Sequence, residues 1–159
     1  MTMKEFKNPY LLILDFLNKN QINFQEFEHE PVYTTEQAAR IRGEAMADGA
    51  KSLVVKINNN FVLLVLPGDR RLSSKKVKNL FKISEFRFAK PEEVVSAMGC
   101  EIGACFPLGN LVGLKTYVDK SLTENQFINF NPGVHYKTIK MRFSDYQKIA
   151  EFEIIDIAE

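Results

Sequence analysis

The segment Gly103-Ala104-Cys105-Phe106-Pro107-Leu108-Gly109-Asn110 places two glycines and a proline within eight residues. Glycine lets backbone N–H groups approach a ligand closely, and proline stiffens a turn. Together they suit a rigid rim around a carbonyl or a developing oxyanion. The same composition also serves a tight connection between a helix and a strand. Lys51 heads an apolar run after Asp48-Gly49-Ala50. It reads either as a surface lysine with a buried stem or as an ammonium aimed into a cleft beside a substrate oxygen. Asn131-Pro132-Gly133-Val134-His135 brings a histidine to a turn, where it is either structural or a proton carrier. Cys105 with His135 as base would make a thiol hydrolase, a third chemistry. Cys100, Cys105, His29 and His135 could be assembled into a zinc site only loosely, since the cysteines are spaced C-x4-C and the histidines lie far apart. No metal and no cofactor are expected. The chain has no Walker or dinucleotide glycine loop, no HExxH, no CxxC and no serine in a nucleophile elbow.

The elements that must position these residues follow from periodicity. Asn8-Pro9 opens a helix carrying Tyr10, Ile13, Leu14 and Leu17, which fades at Asn18-Lys19-Asn20. A second helix is expected from Thr34, with Gln37 as its reciprocal cap, to Gly43. Lys51–Ile57 and Phe61–Leu66 read as strands joined by Asn58-Asn59-Asn60, residues that tolerate positive φ. Their continuous apolar runs imply cover on both faces. Leu72–Phe81 and Pro91–Met98 read as helices, the latter stopped by Gly99. Val112–Val118, Phe127–Phe130 and Thr138–Phe143 read as strands. In the last of these Ile139, Met141 and Phe143 alternate with Lys140 and Arg142. Ser144 with Gln147 suggests a capping box opening a helix to Ala150, and Phe152–Ile157 suggests an edge strand. Strands and helices intermix with hairpins, which favours an α+β domain with a mixed sheet over a doubly wound parallel one.

At 159 residues this is expected to be one domain, 1–159, able to hold a core without staples. Twenty-one basic against twenty acidic residues leave a net charge of +1. No global field draws it to nucleic acid or membrane, so any such affinity must come from a local patch. The densest is Arg70, Arg71, Lys75, Lys76 and Lys78, where phosphate contacts would make binding fall steeply with salt. Neither DNA nor a membrane is expected as a partner. Apolar runs are far shorter than a membrane span needs, Met1–Pro9 lacks a signal-peptide layout, and a cytoplasmic location is expected.

Read together and in order, five pieces resemble the YbaK family, free-standing relatives of the prolyl-tRNA synthetase editing domain. They are His29-Glu30-Pro31-Val32, Gly49 to Val54, Leu66-Pro67-Gly68-Asp69-Arg70-Arg71-Leu72, Gly103 to Gly109, and Phe130 to His135. The likeness runs roughly from Ile22 to Ala150. It implies a mixed, barrel-like sheet surrounded by helices, and hydrolysis of the ester between a wrong amino acid and the terminal adenosine of a tRNA, without a metal. Mischarged aminoacyl-tRNA, on tRNA-Pro or a related tRNA, is the implied partner, with an aminoacyl-tRNA synthetase as a second one. Lys51 falls at the family's signature lysine, Gly103 to Pro107 at its substrate-carbonyl loop and Asn131 to His135 at its histidine turn. The implied catalytic group is Lys51, Gly103, Ala104, Cys105, Pro107 and His135. Substrate contacts are implied at His29, Tyr33, Thr34, Phe106, Gly109, Asn131 and Gly133. Three departures mark this chain: Pro132 in place of a small residue, bulky Phe106 beside the loop proline, and the Cys105 thiol. A non-catalytic binding or sensor module on the same fold is the alternative reading.

Overall fold

The computed structural model describes residues 8–31, 33, 36, 40 and 46–159. Helix α1 (Pro9–Lys19) starts as its sequence dictates: Asn8 accepts a hydrogen bond from the Tyr10 N–H, and Pro9 takes the first helical position. The helix expected from Thr34 to Gly43 falls on residues outside the described set, apart from Glu36 and Arg40.

Strands β2 (Ala50–Ile57) and β3 (Asn60–Pro67) form the antiparallel hairpin expected from Asn58 and Asn59. Both asparagines adopt positive φ, 50° and 67°. To this pair the chain adds β4 (Arg87–Phe88) on one side, and β5 (Lys115–Asp119) and β8 (Glu153–Ile155), both parallel, on the other. The order of this five-stranded sheet is β4-β2-β3-β5-β8. Its two faces are both covered, which explains the unbroken apolar runs. Val54, Leu63 and Val65 enter the main core, while Val55, Val62 and Leu64 pack with Val77 of helix α2 (Ser74–Phe81) on the opposite side. Each such fully buried aliphatic side chain contributes about 1.5–3 kcal/mol.

A second sheet, antiparallel in the order β1-β7-β6, comprises Phe24–Glu28, Lys137–Arg142 and Phe127–Phe130. Ile139 and Met141 face the core while Arg142 is exposed, as the alternation requires. The mixed α+β architecture stands, but the strands do not close into a barrel. Among the described residues the two sheets meet at a single parallel bridge, Gly49 to Asn129. The five-stranded sheet stops instead at β4, only two residues long, and at β8.

Helix α3 (Pro91–Met98) ends at Gly99 with φ 73°. Helix α4 (Phe143–Ile149) begins two residues earlier than the Ser144 capping box suggests. The Phe143 N–H bonds Gln126 O, and Arg142 is the cap residue without a side-chain bond. The expected strand at Val112 is shortened to Lys115–Asp119 because Gly109–Leu111 forms a 3-10 turn and Gly113 adopts φ 74°. At the end of β5, buried Asp119 accepts hydrogen bonds from the Ser121 N–H and hydroxyl and from the Ile157 and Ala158 N–H groups. Burial alone would raise its pKa, but these donors outweigh it and hold the carboxyl below its ordinary value. No helix among the described residues is long and apolar enough to cross a membrane.

Candidate active site

Lys51 is the second residue of β2, opposite Leu66 on β3. Its ammonium donates a hydrogen bond to the Arg70 carbonyl, on the turn that follows β3. That turn is itself tied back to β2 by the Gly68 N–H on Gly49 O at 2.8 Å. Partial burial lowers the Lys51 pKa. Asp69 opposes the shift, and Arg71 adds to it. The lysine borders a cavity of about 350 Å³. Gly103, Cys105 and Asn131 stand on its rim, and Val54, Ala89, Val94 and Phe130 supply apolar lining. Phe88 and Ile102, more than half exposed, and Tyr33 also border it. Sequence pattern gave no reason to single out Phe88 or Ile102; exposed large apolar side chains beside a two-residue strand are visible only in the fold.

The loop after α3 makes the opposite rim. Gly103 has φ 90°, a left-handed conformation that only glycine adopts cheaply. A Cβ there would also sit 3.0 Å from Tyr33 O and 3.3 Å from His135 Cε1. Two hydrogen bonds knit this loop to the Asn131 turn: Asn131 Nδ2 donates to Gly103 O, and the Gly133 N–H donates to Ala104 O, each at 3.0 Å. Gly133, with φ 80°, lies so close to Pro9 that a Cβ would approach its ring to 2.6 Å. The Ala104 N–H is spent on Glu101 O at 3.0 Å, so it has no bond to offer a substrate. The N–H groups of Gly103 and Cys105 have no hydrogen-bond partner among the described residues.

The remaining expected site residues divide sharply. Phe106 is fully buried in the core and does not border the cavity. Pro107 is buried too, and its carbonyl accepts the Tyr146 hydroxyl at 2.6 Å. Gly109 is a packing glycine, since a Cβ would stand 2.0 Å from Thr116 Oγ1 and 2.6 Å from Leu114 O. His29 is committed elsewhere, Nε2 to Thr138 Oγ1 and Nδ1 to Glu30 O, both 2.7 Å. It is therefore not brought to the cysteines. Among the described residues no three His, Cys, Asp or Glu side chains are grouped to hold a metal ion. Thr34 lies outside the described residues.

His135 borders a second cavity of about 330 Å³, together with Cys100, Glu101 and Tyr136. Its ring packs on Tyr33 with centroids 4.4 Å apart, and Nε2 lies 3.8 Å from a Glu101 carboxylate oxygen. Tyr33 borders both cavities. The Cys105 sulfur contacts Cys100 and Glu101 O, so it is not paired with His135 as a thiol hydrolase would need.

In the basic cluster, Arg70 donates to Glu159 O, and Lys76 is held by Asp156 and Ala158 O. Arg71 and Lys75 are exposed, Lys78 is half-buried, and none has an ion pair among the described residues. The cluster starts on the turn whose Arg70 carbonyl receives Lys51.

Comparison with known proteins gives the family and the fold. The family model described as the aminoacyl-tRNA editing domain matches residues 29–149. A multifunctional Ser/Thr-tRNA deacylase, ProXp-y of Escherichia coli K12, is 30% identical over 149 residues, covering 91% of this chain and 89% of that protein. A proline–tRNA ligase of Geobacillus is 44% identical over 59 residues, which is 10% of its length. A solved structure described as a candidate trans-editing enzyme for prolyl tRNA synthetase superposes with a TM-score of 0.83 at 22% identity, covering 95% of this chain and 97% of that one.

Proposed function

This chain belongs to the aminoacyl-tRNA editing domain family, and from that premise we propose that it acts in trans in the cytoplasm. It would hydrolyse the ester between a small amino acid and the terminal adenosine of a mischarged tRNA. The observation that carries this reading is one cavity bordered both by the Lys51 side chain and by the loop that offers the Gly103 and Cys105 N–H groups. An aminoacyl ester is already activated, so the protein has to position a water and stabilise the tetrahedral oxyanion. One preorganised donor is worth about 3 kcal/mol in such a step. Gly103 and Cys105 supply the donors, whereas Ala104 does not. Lys51 as an ammonium holds the ribose or phosphate end of the adenosine. Because His135 borders the other cavity, the substrate's own 2′-hydroxyl is the better group to orient the water. No metal takes part in this scheme.

The name of the Escherichia coli relative favours serine and threonine among small side chains, and the proline–tRNA ligase relatives favour tRNA-Pro among acceptors. Arg71, Lys75 and Lys78 would carry the acceptor-end phosphates. The test is a deacylation panel of seryl-, threonyl-, alanyl- and cysteinyl-tRNA with wild type and Lys51→Ala. We expect hydrolysis of at least one ester, and a loss of about tenfold or more in the variant. Binding without hydrolysis of any ester would make the chain a sensor module instead.

A further inference from the structure

Two thiols have no role in the hydrolysis. Cys100 follows the Gly99 helix cap, and Cys105 sits five residues on, in the rim of the Lys51 cavity. Both are free and buried, and their sulfurs are 3.8 Å apart, with the Cys100 thiol donating to Cys105. Each sulfur-bearing residue borders a different cavity, Cys105 that of Lys51 and Cys100 that of His135. The pair therefore straddles the segment Glu101–Ala104, which contains Gly103. To bond, the sulfurs must close from 3.8 Å to about 2.05 Å. Gly99 and Gly103, both at positive φ, lie just outside and inside the loop to be closed and give it somewhere to move.

We propose that Cys100 and Cys105 are a reversible oxidation site, a dithiol that a hydroperoxide converts to a disulfide, and that the disulfide displaces the Gly103 rim and shuts off the cavity. The bond changes balance. Cys105, reached through the Lys51 cavity, attacks the peroxide oxygen as a thiolate and breaks the O–O bond. With hydrogen peroxide this leaves a sulfenic acid and hydroxide. The Cys100 sulfur then displaces the hydroxyl from Cys105 as water, forming the S–S bond. Two thiols and one peroxide give one disulfide and two waters, and an external dithiol reverses the change. The Cys100 thiol's hydrogen bond lowers the Cys105 pKa, whereas Cys100 is pushed up by that bond and by burial. That polarity makes Cys105 the attacking sulfur.

The effect on catalysis rests on the hydrolytic reading, but formation of the bond does not. The test treats the whole chain with hydrogen peroxide and follows intact mass, alkylatable thiols and binding of a non-hydrolysable seryl-adenosine analogue. Wild type and Cys100→Ala are compared. Wild type should lose two hydrogens and both alkylatable thiols, bind the analogue about tenfold more weakly, and recover with dithiothreitol. Cys100→Ala should stop at a sulfenic acid trapped by dimedone, with no intramolecular disulfide. Addition of oxygen to the wild type without loss of two hydrogens would overturn the site. A disulfide that leaves analogue binding unchanged would overturn its control of the cavity. A chain that binds the analogue and forms the disulfide yet deacylates nothing would sink the hydrolytic reading alone.

Discussion

The loop from Gly103 to Asn110 has two halves built on opposite principles. Its front half, Gly103 to Cys105, borders a cavity and has two N–H groups, those of Gly103 and Cys105, without hydrogen-bond partners among the described residues, while the Gly103 and Ala104 carbonyls are tied to the Asn131 turn. Its rear half, Phe106 to Gly109, is buried throughout and held by the Tyr146 hydroxyl. Each half has an indispensable glycine, for unrelated reasons. Gly103 is required by its backbone angle, and Gly109 by the atoms around it. A rim that must present donors without moving gains its rigidity from the core behind it.

The most disruptive way to test this contrast is Gly109→Ala. The added carbon meets Thr116 and the Leu114 backbone far inside van der Waals distance. Denaturant unfolding should show a loss of about 3 kcal/mol or more, with activity lost alongside. Tyr146→Phe comes next. It leaves the buried Pro107 carbonyl without its donor, at a cost of about 1–3 kcal/mol measured the same way. Gly103→Ala should cost less stability, about 1–2 kcal/mol for the left-handed backbone. It should still lower deacylation about tenfold or more in a folded sample, since a donor is displaced. If Gly109→Ala and Gly103→Ala lost stability and activity in the same proportion, the two halves would be one unit. Smallest in stability is the double reversal Arg71→Glu with Lys75→Glu, within about 0.5 kcal/mol of wild type. It should weaken tRNA binding and flatten its salt dependence while a minimal aminoacyl-adenosine is still cleaved. Equal loss on both substrates would move those charges into the chemistry.

What could be read from sequence was whatever a short segment decides for itself. Asn58-Asn59, Pro9 and Gly99 fix a hairpin, a helix start and a helix stop through local φ preferences, and all three are where their residue types require. Strand β1 escaped notice because Gln25, Glu26 and Glu28 break any apolar alternation; only its pairing with β7 makes it a strand. β4 is too short to show a period. In the candidate site, residue types brought Lys51, Gly103 and Asn131 into view, and the structure sets all three around one cavity. They could not reveal that the Ala104 N–H turns to Glu101, that Phe106 faces inward, or that His135 lies against the other cavity. Those facts depend on which tertiary partner each group finds.

The grip of Asp119 on the Ile157 and Ala158 N–H groups has a consequence for the order of assembly. Ala158 bridges Leu72, and the Glu159 N–H bonds Arg71 O, so residues 157–159 buttress the turn whose Arg70 carbonyl receives Lys51. Lys51 and Arg70 leave the ribosome ahead of this segment, yet their relative placement waits for residues made some ninety positions after Arg70. The bridge from Ala158 to Leu72 is antiparallel but non-local, and contacts across such a separation form slowly. A nascent chain can thus fold its β2–β3 hairpin at once and still lack a finished lysine site until synthesis has passed Ala158.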